Sequence, residues 1–564
     1  MAYVIKQELC SCCHQCRAVC PVGAIHFKGV KYQIDPEKCI ECGLCAENCH
    51  NCIITKIGEE PVKPQPHAPV NMDCDVVVCG AGGSGLVAAT RLAQSGKKVI
   101  VLEKNGQCGG NTWYAGGFRT HYSKKLKEAG EPDTRDEQIR KFLIETLWKE
   151  DPQLVYNIYH ATEGLIDWLM EDCGCEEDFV VGTTPFGGKG MMFTNKTGRK
   201  FKRIDTSIGP GGMGSFIVEK LLEELKKIDV PVLMRHEAKE VLKDASGKVC
   251  GIRATDGGGD VIISAKAVVL ATGCFSHNPE YLEKATPGFF DPGEPVHRFS
   301  VPTCTGDGIT MGIAAGADID WQNTKALTLG PAHHPFGFAG VCICRESEVV
   351  MFNTRGERWA NEMDNTMALR HLFLKQPDFI SWAVVDQNIL DTLGNRLADQ
   401  GRDGPDGVRI LRNYQNEADE EATLDTPVKK ADTLEELAEK MGVPVDTFVS
   451  QVKHYNEMCK AGRDTDFFKD PKFMIPLEQG PYYAFFEKRF QENAAGGMKI
   501  DSQTRVKNTE GGVIPGLYAT GDNARGILIG GDMGTDYVER YISALTWCVS
   551  SGYIAAEAIK EDLA

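Results

Sequence analysis

Eight cysteines near the N-terminus have spacing that suits chemistry: Cys10, Cys13, Cys16 and Cys20, then Cys39, Cys42, Cys45 and Cys49, each run reading C-x2-C-x2-C-x3-C. Thiolates this close together on turn-rich backbone can surround a cubane iron–sulfur cluster, and in doubled runs the fourth cysteine of each serves the other cluster. The expected ligand sets are Cys10, Cys13, Cys16 and Cys49 for one [4Fe-4S] cluster, and Cys20, Cys39, Cys42 and Cys45 for the other. Zinc is the alternative metal, disfavoured by eight cysteines in this register. Cys12 and Cys52 are spare and read as packed thiols. The C-x-C pairs Cys173/Cys175 and Cys342/Cys344 lack further ligands and read as small packed residues.

A second constellation begins at Asp73. The apolar run Val76–Val78 leads into Gly80, Gly82, Gly83, Ser84 and Gly85, which open a helix expected over Leu86 to Ser95. Glycines at these positions allow a tight turn and let backbone approach a pyrophosphate, which the N–H groups and positive dipole end of the helix would hold. Eighteen residues after Gly85, at the end of the strand Val99 to Leu102, Glu103 is placed to accept hydrogen bonds from a ribose. No second G-x-G-x-x-G follows a strand, so a dedicated nicotinamide-nucleotide domain is not expected.

These groups need elements to position them, and the chain is long enough for several domains. Its 564 residues are 42% hydrophobic, and its net charge of −17 with a pI near 5.3 disfavours a nucleic-acid or anionic-membrane partner. No apolar run of membrane-spanning length and no signal-like N-terminus is present. Together with the metal-type cysteine spacing, this places the protein in a reducing, cytoplasmic setting, as in an anaerobe. Prolines 61, 64, 66 and 69 mark residues 58–72 as an extended, semi-rigid linker after an N-terminal unit of residues 1–57. Downstream, Gly109 to Thr112 and Ala115 to Gly117 read as a small-residue loop, and Asp133 to Asp172 as helical without evident chemistry. Residues 208–215 read as a loop opening a helix over Phe216 to Lys227. Val230 to Arg253 reads as a small sheet, Ala267 to Gly273 and Gly516 to Asp522 as strands ending in glycine, and Val538 to Lys560 as a C-terminal helix.

Residues 1–57 resemble bacterial two-[4Fe-4S] ferredoxins, with His50 where the second run would normally carry proline. Residues 73 to about 560 resemble the flavoprotein family of fumarate reductases, urocanate reductase and 3-ketosteroid dehydrogenases. The motifs are GAGGSG (80–85), LEK (102–104), GGNTWYAGG (109–117), ATG (271–273), TGDGI (305–309), NTRGERWANE (353–362) and GLYATGD (516–522). The resemblance implies an α/β, Rossmann-like FAD-binding domain (73–320 and 480–564), an inserted α+β capping domain (321–479), and a small α+β ferredoxin domain in front. It implies FAD contacts from the glycine turn, Glu103, Lys104, Gly110, Asn111, Thr112, Gly116, Gly117, Ala238, Ala271, Thr272, Gly273, Gly521 and Asp522.

The resemblance breaks at the substrate. The family's proton-donating arginine falls at Thr366, its carboxylate-binding pair at Val341 and Cys342, and its substrate histidine at Glu492 or Asn493. Its clamp arginine has no counterpart in RGILIGGDMGTDY (525–537). A buried carboxylate without partners is costly, so fumarate and succinate are disfavoured. The expected activity is reduction of an activated C=C bond in a less charged, cyclic or aromatic substrate, with electrons entering through the clusters from a donor protein. Tyr537, Tyr541, Arg370 and His334 are the candidates for the acid. The rival readings are dehydroxylation or dehydrogenation of a polycyclic, isoflavonoid or steroid-like substrate, a fumarate reductase proper, and an electron-transfer subunit with no organic substrate.

Overall fold

The computed structural model describes the chain except for residues 1, 11–14, 29–30, 59–63, 116–118, 121, 129, 131, 146–147, 176–178, 184–188, 194–212, 286, 288–296, 299, 322–324, 328–331, 334–346, 363–368, 370–371, 374, 400–418, 420–421, 423–427, 489, 492 and 527–543. In the N-terminal unit Tyr3–Ile5 pairs antiparallel with Ile54–Lys56, and Ile25–Lys28 with Lys31–Ile34. The first and last strands are thereby joined, and Ile5, Ile25, Tyr32, Ile53 and Ile54 form a core shared with the thiols Cys10, Cys16 and Cys49.

The second half of the segment expected as linker is tied down. Val70–Asp73 adds as a parallel strand to Asp260–Ser264, at the edge of a four-stranded sheet that also holds Glu237–Lys243 and Val249–Thr255. Ahead of it, His67 donates its backbone N–H to Gly258 O at 3.1 Å and pairs through Nε2 with Asp256 at 2.8 Å.

A six-stranded sheet carries the dinucleotide unit, in the order Val232–Met234, Val99–Glu103, Val76–Cys79, Ala267–Leu270, Val513–Ala519, Arg505–Lys507. The first five strands run parallel and the last antiparallel. Val76, Val77 and Val78 are fully buried on both faces, each contributing ~1.5–3 kcal/mol, and such all-apolar strands belong inside a covered parallel sheet. Chain order reverses at Val76–Cys79, with Val99–Glu103 on one side and Ala267–Leu270 on the other. Ligands of open parallel sheets bind at the carboxyl ends of the strands at such a switch point. The helix Gly83–Gln94 follows this strand, and the C-terminal helix Ala544–Asp562 packs on it, so tightly that a Cβ on Gly552 would stand 2.2 Å from Ser84 O. No described helix is long and apolar enough to cross a membrane.

The cap has its own sheet and core. Val350–Asn353, Ile380–Asp386 and Tyr482–Lys488 form antiparallel neighbours, with Val428–Ala431 on the last of them, so this sheet continues past residue 479. The helices Leu434–Met441, capped by Thr433 Oγ1 accepting from Glu436 N at 3.2 Å, and Val445–Ala461 cover it. Beneath them lies a buried ionic group. Arg358 donates to Glu362 (3.0 and 2.9 Å) and to Asp464 (2.8 Å), while Lys469 Nζ stands 3.2 Å from Glu362 and donates to Val349 O at 2.8 Å. Burial pulls the Glu362 carboxyl upward, but Lys469 and Arg358 together overcome it and hold the group below the usual range. The NE motif at 361–362 is thus a structural anchor of the cap at its glutamate.

Candidate functional site

The switch point opens into a partly open cavity lined by the ends of the strands Val76–Cys79 and Val99–Glu103, the glycine turn and the ATG segment. One side is the glycine turn. Gly80 has φ +107, and a Cβ there would lie 2.3 Å from Ala271 O, so only glycine lets the first strand's end pass the ATG segment this closely. The helix begins at Gly83, and the first N–H that pairs within it is that of Leu86, to Gly82 O at 2.9 Å. The positive helix end borders the space where a pyrophosphate would lie, with the Gly83 N–H turned to Thr112.

Glu103 holds this turn as well as lining the cavity. Its Oε2 accepts from Ala81 N at 3.0 Å and its Oε1 from Asn105 N at 2.7 Å; burial raises its pKa against these two bonds. Each carboxylate oxygen retains a further lone pair for a ribose hydroxyl. Lys104 lies on the wall with its amine tied to Thr305 (2.7 Å) and Asp307 (2.6 Å), which fixes the TGDGI loop. Thr112 Oγ1 accepts from Gly83 N at 3.1 Å, and Asn111 Oδ1 accepts from Val301 N at 2.8 Å. On the far wall Thr272 Oγ1 accepts from Gly308 N at 2.9 Å, and Trp547 Nε1 donates to Gly521 O at 3.1 Å.

Of the residues expected to contact FAD, the structure brings Gly80, Gly82, Gly83, Ser84, Glu103, Lys104, Gly110, Asn111, Thr112, Ala238, Ala271, Thr272, Gly273, Gly521 and Asp522 to this one cavity. Gly85 lies off it: a Cβ there would stand 2.0 Å from Gly80 O, so its role is to seat the helix on the turn. The loop expected from Gly109 is a short 3-10 helix, Gly110–Tyr114. Asn105, Gln107, His236, Cys304 and Cys548 also line the cavity and were not foreseen. The quoted TGDGI motif carried a signal for Asp307, another lining residue, whereas His236 sits beyond a strand end that no motif marks. Tyr537, Tyr541, Arg370, His334, Gly116 and Gly117 lie outside the described residues, as do Thr366, Val341, Cys342 and Glu492.

The thiols fall into two neighbourhoods. Burial pushes the Cys45 thiol up to about 11, and the adjacent Cys39, Cys42 and Cys20 push in the same direction. Cys49 is also raised by burial, with Cys10 and Cys52 as its neighbouring thiols. Among the described residues no three ligating side chains yet converge on one point, and Cys13 lies outside them. The crossed adjacency, Cys20 with the second run and Cys49 with the first, is what two shared cubane sites require. Cys52, expected to be packed, is exposed, at a backbone position of φ +53.

The second neighbourhood abuts the cavity wall. His50, next to Cys49, is 2% exposed, stacks on Trp113 (4.7 Å between centroids, 9° between planes) and meets the edge of Tyr114 at 5.6 Å. Its Nδ1 lies 3.1 Å from Gln107 Oε1, its carbonyl accepts from Asn105 Nδ2 at 3.1 Å, and Tyr114 donates to Asn51 Oδ1 at 3.1 Å. Burial drives its pKa down to about 4, with Gln107 and Gly110 opposing. The ring is neutral near pH 7, and Nδ1–H donates to the amide oxygen.

A dinucleotide cradle at a Rossmann switch point, with a cysteine-rich unit packed behind its wall, defines an oxidoreductase of the flavoprotein class with an iron–sulfur domain. The chain belongs to the FAD binding domain family, whose family model matches residues 75–534, and residues 2–50 match a 4Fe-4S dicluster domain. Its cofactors are FAD and two [4Fe-4S] clusters. Similar curated proteins include a urocanate reductase of Eggerthella lenta, 29% identical over 488 residues (85% of this chain, 73% of that protein). A vinyl phenol reductase of Lactiplantibacillus plantarum is 26% identical over 473 residues (80% and 90%). Among solved structures, the open conformation of a flavocytochrome c3 fumarate reductase shares the fold at a TM-score of 0.67 with 22% identity, covering 87% of this chain and 79% of that one.

Proposed function

We propose that the protein reduces an activated C=C bond of a cyclic or aromatic substrate, such as a cyclic enone or an aryl acrylate, rather than of a dicarboxylate, with electrons drawn through its two clusters. The observation that supports this most is the joining of a complete dinucleotide cradle to a two-cluster unit across a packed seam. Relatives named as reductases of urocanate and of vinyl phenol support the bond type. Loss of the dicarboxylate anchors at Thr366, Val341, Cys342 and Glu492 or Asn493 supports the substrate class. FAD, when bound, supplies hydride to one carbon of a polarised double bond, and the clusters supply single electrons.

The chain's own groups do the rest. The glycine turn and helix end hold the dinucleotide phosphates, Glu103 its ribose, and Asn111, Thr112 and Thr272 keep the wall in place. Cys10, Cys13, Cys16 and Cys49 hold one cluster, and Cys20, Cys39, Cys42 and Cys45 the other. The cap, over 321–479 with the strand that follows, closes on the substrate and excludes water. Tyr537 or Tyr541 gives the proton to the second carbon, with Arg370 and His334 as the other candidates.

The test is anaerobic: reduce the holoprotein, then add fumarate, urocanate, an aryl acrylate or a cyclic enone separately, and follow flavin absorbance. Rapid reoxidation by the acrylate or enone but not by fumarate is expected. Rapid reoxidation by fumarate overturns the substrate class, and no reoxidation by any of them favours a carrier.

A further inference from the structure

We propose that the two clusters work in a fixed order, and that His50 is the positioning residue that makes the cluster on Cys10, Cys13, Cys16 and Cys49 the inner one, delivering electrons to FAD. The inference uses the ligand sets proposed above but not the substrate.

Three observations carry it. First, the seam is one residue layer thick: Gln107 both lines the dinucleotide cavity and receives the His50 Nδ1 hydrogen bond. Gly110, Asn111 and Thr112 line the cavity from the same short helix that presents Trp113 and Tyr114 to the His50 ring. Second, the contacts lock orientation as well as proximity. Asn105 holds the His50 carbonyl, Tyr114 holds Asn51, and Gln107 reaches back to the Glu47 carbonyl at 3.4 Å. Third, the other neighbourhood faces outward. Cys42 is exposed, and beside it Ile40 is 59% exposed and Leu44 is exposed, whereas Cys10 and Cys49 are buried. The exposed rim is where a one-electron donor can reach a cluster, and the buried side is where the dinucleotide lies.

Buried at a domain seam, the aromatic stack and the hydrogen bonds act together to fix separation, and transfer between fixed groups is sensitive to small displacements. With the cofactors bound, a low-potential donor would supply two electrons one at a time through the outer cluster to the inner one, which the His50 seam holds beside FAD; with two protons from solvent they would convert FAD to FADH2 and leave the clusters oxidised.

The test uses the holoprotein without substrate. After rapid mixing with dithionite under anaerobic conditions, cluster and flavin bleaching are followed separately in wild type, His50→Ala and His50→Phe. Expected is flavin reduction slowed at least about tenfold in His50→Ala, with unchanged iron, sulfide and FAD content and unchanged cluster bleaching. His50→Phe, which keeps a ring on Trp113, recovers most of the rate. An unchanged flavin phase in His50→Ala overturns the proposal. Should His50→Ala lose cofactor, hydrogen exchange in the wild type decides. Joint protection of residues 47–52 and 106–114 supports the seam, and free exchange of both beside protected domain cores overturns it.

Discussion

In the cradle, position is set by what is missing: a Cβ on Gly80 would lie 2.3 Å from Ala271 O, and the turn leads straight into a helix end that borders the cavity. In the cap, position is set by what is added, since Arg358, Glu362, Asp464 and Lys469 are buried together beneath helices Leu434–Met441 and Val445–Ala461. The difference teaches where each region is vulnerable. A backbone-built site fails when atoms are inserted, and a charge-built core fails when one partner is removed.

Glu362→Ala tests the second half of that contrast and should have the largest effect. It leaves Arg358 and Lys469 buried without their shared carboxylate, a loss of about 3–5 kcal/mol, read as a lower urea midpoint for the cap with FAD content retained. The same group gives a pH signature. Its folded pKa is depressed, so its contribution is complete above about pH 4.5 and is lost as pH falls through the lower folded value. Acid titration of cap unfolding in wild type, flattened in the variant, is the expected result.

Gly80→Ala tests the first half. Strain at positive φ together with the backbone clash should cost about 3 kcal/mol, or roughly a hundredfold in FAD affinity, measured by flavin release with cluster absorbance unchanged. Equal loss of both cofactors would erase the contrast. A gentler version is Thr112→Val, which removes the acceptor of Gly83 N and should weaken FAD binding by about 1 kcal/mol.

The smallest effect is expected where both devices meet, at the linker. His67 donates its backbone N–H to Gly258 O and pairs its ring with Asp256. Asp256 is held down to about 2, first by the Gly258 N–H and then by His67. His67 is raised by the Ala68 carbonyl and then by Asp256. The imidazolium's contribution is therefore full below about pH 6.5 and lost as pH rises through its higher folded value. Hydrogen exchange at residues 64–69 should quicken modestly across that interval, and His67→Ala should remove the dependence.

The cradle was legible in the sequence because its device is local. Glycine spacing, a strand before it and an acidic residue after it are written within some thirty positions, and fifteen expected residues meet at one cavity. The cap's ionic group was not, since Asp464 lies 106 residues from Arg358 and nothing in either local pattern names the other. Glu362 was visible only as part of a motif. The seam was half legible: His50 stood out as a departure from proline, but its partners Gln107 and Trp113 belong to a different domain, and side-chain complementarity across domains leaves no periodic trace. Cys52 was misjudged for the same reason. It is exposed beside that seam, its sulfur 3.2 Å from where a Cβ on Gly106 would stand.

The packing of helix Ala544–Asp562 on helix Gly83–Gln94 bears on how the protein is made. Arg91 donates to Glu557, 466 residues further along, at 2.7 Å, and Gly552 closes on Ser84. The cradle helix therefore waits for residues 544–562, more than 450 positions along the chain, whereas the N-terminal unit is tied by contacts within residues 1–57 and can fold early. The metal-type cysteines thus sit on a locally closed unit, whereas the flavin cradle is a product of long-range closure.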